Sequence, residues 1–425
     1  MTIRHPLDVR DQPAGRRNWR LLVSMGVVFF VLLTLYAAVL GVLLPNQIQN
    51  IDPAHKTATL GIVYAITSVF STLATPLSGA LSDRTRSRFG RRTPWIAIGA
   101  GVGGGALMLV PLIDGLVMVT LLWLVATVSL NSMQPALTAI VADRFAVAER
   151  GVASGVVGAA MTAGVSAGTI FGGVFAGDLG RAYFTLGAAI VVVCTLFVLL
   201  NPEPRTTAPP PPRFQLGAFA RSFWVSPRDH PDFAWAFAGR FTIYLGYQAV
   251  LTYLLYVLQD HIGFSQQEAN ATIARLSSVT FVALVLSALS AGWLSDRTQR
   301  RKPLVFAASI IMAAAVAAPL VAPSMTGMYV YAVLIGIGYG AFMSVDLALM
   351  TQVLPKRSAG GETGDETGKD LGILTTAVNV PQILSPVFAA ILLTATHNDY
   401  AMLFIVSGLL VLAGAFLVLP IRSVR

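Results

Sequence analysis

Residues Gly79–Trp95 read GALSDRTRSRFGRRTPW, a short basic loop between two apolar runs. Its pentapeptide Leu81–Thr85, LSDRT, returns unchanged at Leu294–Thr298 inside GWLSDRTQRRKP. The second copy starts 213 residues after the first (294 − 81), half of the 425-residue chain within a residue. Each copy follows a Gly-containing apolar segment, with Gly79 and Gly292 ahead of it, and precedes arginines, a proline and another apolar segment. Five residues can recur by chance; the same five between the same flanks at half the chain length indicate a duplicated unit.

The composition fixes the solvent. The chain is 55% hydrophobic and 12% charged, with a mean hydropathy of +0.70, whereas soluble chains carry about a quarter charged residues. Apolar surface in this proportion exceeds what a water-soluble fold can bury, so the class is integral membrane. A helix needs about 20 residues to cross the hydrocarbon core. Twelve runs qualify, at 21–44, 57–81, 95–113, 116–140, 152–176, 182–200, 233–258, 269–294, 303–322, 328–354, 371–395 and 400–421. They are continuous rather than alternating, which selects helices over barrel strands. The first run exceeds a signal-peptide core and is followed by Leu43-Leu44-Pro45, so it is expected to stay as a helix. Cys194 is the single cysteine; mid-helix, it reads as a small packing residue and excludes a disulfide framework.

The cations orient the chain. With twelve spans the termini share one side, and that side holds all Lys and Arg except Lys56, Arg181, Arg240 and Arg275. The positive-inside rule then places both termini in the cytoplasm of a multi-pass, prokaryotic inner-membrane protein. The net charge of +9 follows from this bias and calls for no nucleic acid. The expected organisation is a cytoplasmic tail 1–20, a six-helix bundle 21–200, a cytoplasmic linker 201–232 and a second bundle 233–425. The linker contains Pro209–Pro212, a stiff spacer, and an amphipathic stretch around Phe214–Trp224 suited to a membrane surface. Residues 358–370 (SAGGETGDETGKD) read as a polar, flexible loop. Gly164, Gly168 and Gly172, and the Gly99–Gly105 run, read as close helix contacts.

Within LSDRT the carboxylates of Asp83 and Asp296 lie between the end of one helix and the start of the next. There they are expected to accept hydrogen bonds from unpaired N–H groups at a neighbouring helix N-terminus. The arginines Arg84, Arg91, Arg92 and Arg297 suit lipid headgroups or acids on adjacent loops. Together these make a cytoplasmic latch; the blander alternative is a positive-inside stop signal with a helix-ending Asp.

Gly79-x-Leu81-Ser82-Asp83-Arg84 followed by Gly90-Arg91-Arg92 resembles the loop 2–3 signature of the major facilitator superfamily, and Gly292–Lys302 resembles its loop 8–9 copy. Glu149-Arg150-Gly151 is similar to the usual loop 4–5 pattern. The resemblance covers the whole chain. It implies an all-α membrane protein with twelve transmembrane helices in two pseudo-symmetric six-helix bundles. The extended form SDRTxSRFGRR resembles the sugar:cation symporter branches, including sucrose–proton symporters, as do Val345–Leu349 and Gly368–Gly372. Departures also stand in the sequence. Helix 4 carries neither a buried arginine nor a buried acid, helix 1 has no histidine, and Thr169 occupies a position where antiporters place proline.

Ionisable side chains inside a span commonly mark an ion or substrate pathway. Asp346 lies eight residues from Leu354 and Arg240 seven from Phe233, each roughly 10–12 Å from the cytoplasmic edge at about 1.5 Å per residue. The matched depth permits an Arg240–Asp346 pair, with Asp346 as proton carrier and Arg240 tuning it; a permanent structural ion pair is the competing reading. Arg240, Tyr244, Tyr247 and Gln248 share a helical face, a stripe suited to stacking and hydrogen-bonding a sugar. It is equally what a packed tyrosine face looks like. Gln134 aligns with Asp346 at an offset of 212 (346 − 134). Asn131 accompanies it, and Asn379 and Gln382 flank Pro381; these complete the solute-contact candidates. Arg275 reads as interfacial.

These features lead to a monomeric secondary transporter moving a sugar or glycoside by alternating access, coupled to protons. The alternative is a proton-coupled exporter of drug-like or hydrophobic solutes. No enzyme, metal or organic cofactor is expected, because no cluster of His, Cys or acids has ligand spacing and the driving force is a proton or other cation gradient. The partners are a small-molecule solute and the lipid bilayer.

Overall fold

The computed structural model describes residues 19–203, 231–298, 300–353 and 366–421. The tail, most of the linker with its proline run and amphipathic stretch, and most of the 358–370 loop therefore lie outside the described residues. Among the described residues the chain forms twelve helices: α1 Trp19–Ile51, α2 Lys56–Arg84, α3 Thr93–Leu112, α4 Leu116–Arg144, α5 Val147–Phe175 and α6 Leu179–Leu200, then α7 Pro231–Thr252 continued as Leu254–His261, α8 Gln266–Thr298, α9 Arg301–Val321, α10 Met325–Val353, α11 Glu366–Ala395 and α12 Tyr400–Leu417. Ten are long and apolar enough to span a membrane, and the bent α7 is an eleventh; α11 contributes the shorter apolar stretch Val380–Ala395.

Packing divides the chain into two compact units, residues 1–52 with 66–213 and residues 53–65 with 214–425. In the first unit α1 packs on α5 and α6, and α3 on α4 and α6. In the second, α7 packs on α11 and α12, and α9 on α10 and α12. First with fifth and sixth, third with fourth and sixth: these four pairings recur in both units, and α8 on α10 adds a further one in the second. Small residues set these approaches. A Cβ added at Gly164 would stand 2.5 Å from the Phe30 carbonyl oxygen, and one at Gly336 2.6 Å from that of Thr280. Cys194 is buried and its thiol faces the Met133 sulfur at 3.8 Å, the packing role expected of it.

Several boundaries differ from the hydropathy reading. Pro45 does not open a loop: α1 passes through a π turn at Val39–Leu43 and continues as Leu44–Ile51, with Pro45 directly after the π turn. A second π turn, Val257–His261, follows a 51° bend in α7. Each unit thus carries a wide turn near the end of its first helix, a feature frequent at functional sites. Leu81–Arg84 of the first LSDRT copy and all of the second lie within the last turns of α2 and α8 rather than after them. Residues 366–370, expected as loop, already belong to α11.

Candidate functional site

Among the described residues, the second unit buries the ion pair of Arg240 and Asp346. Arg240 and Asp346 are 6% and 4% exposed, and Arg240 Nε stands 3.0 Å from Asp346 Oδ2. The N–H does not point along that contact, so Arg240 Nε and Nη1 and Asp346 Oδ2 have no aligned hydrogen bond among the described residues. The charges are therefore neutralised while part of their hydrogen-bonding capacity is unspent. Buried charge with unmet donors is costly.

Two stripes at helical spacing bring this pair together. On α7, Arg240, Tyr244 and Tyr247 repeat at four and three residues; on α10, Tyr339, Phe342, Met343 and Asp346 repeat at three, one and three. The stripes interlock. The Tyr247 and Tyr339 rings stack at 4.7 Å, and Tyr244 meets Tyr339 edge-on at 6.2 Å and Phe342 at 6.0 Å. The Tyr244 hydroxyl donates to the Met343 sulfur at 2.8 Å, and the Arg240 guanidinium lies 5.8 Å from the Tyr244 ring. Tyr244 and Tyr247 are thus packed within the second unit. Gln248, next on the stripe, is only part-buried. Tyr339, Phe342 and Met343 were not singled out from the sequence, although a walk back from Asp346 by three, four and seven residues finds them.

The other candidates are not gathered here. In the first unit Gln134 is part-buried, and the Asn131 amide donates to the Thr127 carbonyl of its own helix at 2.9 Å. Gln382 is exposed, as is Arg275. The side chain of Asn379 lies outside the described residues.

The basic loop of the first unit is a second polar centre. Arg92, 5% exposed, binds Asp83 Oδ1 at 2.6 Å, Asp143 Oδ2 at 3.1 Å and Ser82 Oγ at 3.0 Å, while Arg91 binds Asp143 Oδ1 at 2.5 Å. Asp83 does not cap a helix as expected; its carboxylate is satisfied by Arg92. The N-terminus of α3 is capped instead by Glu203, whose Oε2 accepts from Arg92 N–H at 2.8 Å and Thr93 N–H at 3.1 Å. Gly90 makes room: its φ is +94°, and an added Cβ would strike Glu203. Gly79 lies against Pro135, where a Cβ would be in ordinary contact at 3.5 Å. Arg84 donates to the Ala80 carbonyl of its own helix at 2.9 Å. In the second copy Arg297 lies 5.3 Å from the Trp293 ring, and a Cβ at Gly292 would meet Ser344 at 4.0 Å. Asp296, half of the matched pair expected, lies in the last turn of α8 beside Arg297. Among the described residues no group of three His, Cys, Asp or Glu could hold a metal ion.

The family described as "Major Facilitator Superfamily" matches residues 21–364. The "Fujikurins efflux protein" of Gibberella fujikuroi is 26% identical over 246 residues, 57% of this chain and 47% of that protein. The "MFS transporter asaE" of Aspergillus flavus is 30% identical over 185 residues, 42% and 39% of the two chains. The chain thus spans less than half the length of these curated relatives in either match. Among solved structures, a bacterial homologue of the human lysosomal transporter Spinster, inward-facing and occupied, is similar with a TM-score of 0.72 at 15% identity, covering 95% of this chain and 97% of that one. A D-xylose–proton symporter is similar with a TM-score of 0.66 at 16% identity, covering 96% and 98%.

Proposed function

Because the chain belongs to the Major Facilitator Superfamily, a family of multi-pass membrane transporters rather than enzymes, we propose that it is a proton-coupled secondary transporter with Asp346 as proton carrier and Arg240 as its counter-ion. The observation that carries this reading is the Arg240–Asp346 pair itself, buried at 3.0 Å between two membrane helices of the second unit, since ionisable side chains inside a span commonly mark an ion pathway. Protonation of Asp346 removes the charge that holds Arg240, and loss of the proton recaptures it. Tyr244 and Tyr247, both buried beside the pair, keep bulk water away, so the exchange is tied to movement of the helices that carry it.

The solute is a sugar or glycoside on the strength of the extended SDRTxSRFGRR loop and of Gln248 and Gln134, which keep part-exposed amides on their helices. A second reading, export of a hydrophobic solute, is favoured by the relative named an efflux protein and by the enclosure of Tyr244 and Tyr247. In both readings the transporter works in a prokaryotic inner membrane with its basic loops in the cytoplasm, as the distribution of Lys and Arg favours.

Proteoliposomes with an imposed pH gradient, screened across disaccharides, monosaccharides and dyes, separate the two solutes. Asp346→Asn should abolish proton-driven accumulation while leaving solute exchange in place. Undiminished uphill transport by that variant overturns the coupling role.

A further inference from the structure

Within the first unit, the start of α1 lies beside the ends of α4 and α6. On α1, Trp19, Val23 and Val27 repeat every four residues; on α6, Val193, Phe197 and Leu200 repeat at four and three. Between the two stripes runs a groove of about 500 Å³, within the range of sites that bury most of a small ligand. Phe197 is buried beneath it and Ser24 half-buried, while Val23, Val27, Leu196 and Leu200 are exposed along its sides. The groove follows α1 from Trp19 to Val27 and α6 from Leu200 back to Val193. At about 1.5 Å per residue that is roughly 10–12 Å, most of the roughly 15 Å depth of one leaflet.

One end of this apolar groove is cationic. Arg20 lines it, is exposed, and makes no ion pair or hydrogen bond among the described residues. Arg144, at the end of α4, donates to the Asn201 carbonyl at 3.1 Å, and the Asn201 amide donates to the Ser24 hydroxyl at 2.9 Å. The like charges of Arg20 and Arg144 are close enough to interact, and Glu203 offsets Arg144 in part. Glu203 is already engaged by the N–H groups that open α3. Arg16 and Arg17 stand three and two residues before Trp19 in the chain, so cations are in surplus at this end. The matching occupant has an anionic head and an apolar tail. A free inorganic anion leaves the groove unfilled, and a sugar leaves its apolar sides unmet. Segment 1–18 carries four arginines against two aspartates and brings like charge.

We propose that the groove between α1 and α6 binds one anionic phospholipid of the surrounding bilayer, its phosphate on Arg20 and an acyl chain along Val23, Val27 and Leu196. Basic pockets between membrane helices favour anionic headgroups, and the exposed Trp19 indole suits the headgroup level. Arg144 adds positive charge behind Arg20 while its own hydrogen bond to Asn201 holds α4 against the end of α6. The bound lipid braces α1 against α6 and stabilises the first unit by mass action. The site is separate from the Arg240–Asp346 pair, which belongs to the second unit. It depends on the membrane placement of the chain and not on the solute or the coupling ion, so it is tested without transport.

The test uses the purified full-length protein in detergent and native mass spectrometry, with phosphatidylglycerol or phosphatidylcholine of matched chains added. Thermal melting of each variant without lipid is the folding control. The parent should retain phosphatidylglycerol in clear preference to phosphatidylcholine. Arg20→Gln should lower phosphatidylglycerol retention about fivefold, the effect of one cation near a lipid phosphate, and Arg20→Lys should keep most of it. Val27→Trp, which fills the groove, should lower retention of both lipids. Arg88→Gln removes an exposed cation of the basic loop and should leave retention unchanged. A phosphatidylglycerol carrying a diazirine in its acyl chain should label 19–27 and 193–200. Equal retention of the two lipids by the parent overturns the site. So does equal retention by the parent and Arg20→Gln, whose exposed side chain changes without disturbing the packing. A loss in Arg88→Gln as large as in Arg20→Gln shows attraction by the basic surface at large and overturns it. Diazirine adducts confined to other helices, or a dimer that Val27→Trp abolishes, put another occupant in the groove and overturn it as well.

Discussion

The two LSDRT copies share a sequence and part with their surroundings. In both, the threonine hydroxyl donates to the leucine carbonyl four residues back, Thr85 to Leu81 at 2.9 Å and Thr298 to Leu294 at 2.7 Å. This local bond belongs to the pentapeptide. Beyond it the copies diverge. In the first, the cations that follow LSDRT meet carboxylates: Arg92 meets Asp83 and Asp143, Arg91 meets Asp143, and Glu203 closes the start of α3. In the second, Lys302 donates to the backbone carbonyls of Leu419 and, at 2.9 Å, Ile421 at the end of α12. Duplication preserved the turn and left each half to find its own counter-charges. The first copy holds an ionic network; in the second Lys302 stands over a helix C-terminus, which the helix dipole favours, while Asp296 and Arg301 have partners of their own.

The sharpest way to break this contrast is Arg92→Ala. It strips a nearly buried guanidinium from two carboxylates and a serine, and should cost about 3–5 kcal/mol, read as a fall in the thermal midpoint of the purified protein. A cost below that of Lys302→Ala would show that the first loop is no more than a basic stop. Gly90→Ala should follow at about 1–3 kcal/mol, because the new side chain must adopt positive φ and displace Glu203. If its melting matches the parent, the tight seat for Glu203 is wrong. Glu203→Gln keeps the shape but loses the charge at the α3 N-terminus, and should cost about 1 kcal/mol. Lys302→Ala should cost about 1 kcal/mol or less, since its ammonium meets neutral backbone carbonyls at a partly exposed site rather than a buried carboxylate. Asp83→Asn should be the mildest of the ionic changes, about 0–1 kcal/mol, because the Asp83 side chain is 48% exposed. A large loss there would restore Asp83 to the central place that the repeat alone suggests.

What was legible in the sequence followed from local pattern and composition. The duplicated pentapeptide, twelve apolar runs and a paucity of charge led to two halves of membrane helices, and the fold bears this out. The Arg240–Asp346 contact was accessible because both charges lie at one depth, and depth is simply residue count times helical rise. Their neighbours were harder to find. Tyr339 and Met343 carry no signal apart from spacing relative to Asp346, and an aromatic stripe reads alike whether it lines a passage or packs. The capping role expected of Asp83 failed for a physical reason. A carboxylate at a helix end has two good partners, free N–H groups or a guanidinium, and sequence distance ranks neither. Arg92 reached it first in space, and the N–H groups fell to Glu203 from more than a hundred residues away.

The amino-acid sequence by itself determined the solvent, the element type, the duplication and the depth of each buried charge, because these depend on residue chemistry counted along one chain. The tertiary structure alone decided which cation meets which anion. It put Arg92 on Asp83 and Asp143, Arg240 on Asp346 at 3.0 Å, and Lys56 on Asp260 at 2.7 Å. Charges attract without regard to separation in the chain, and only the packing of helices fixes the few ångströms over which that attraction acts.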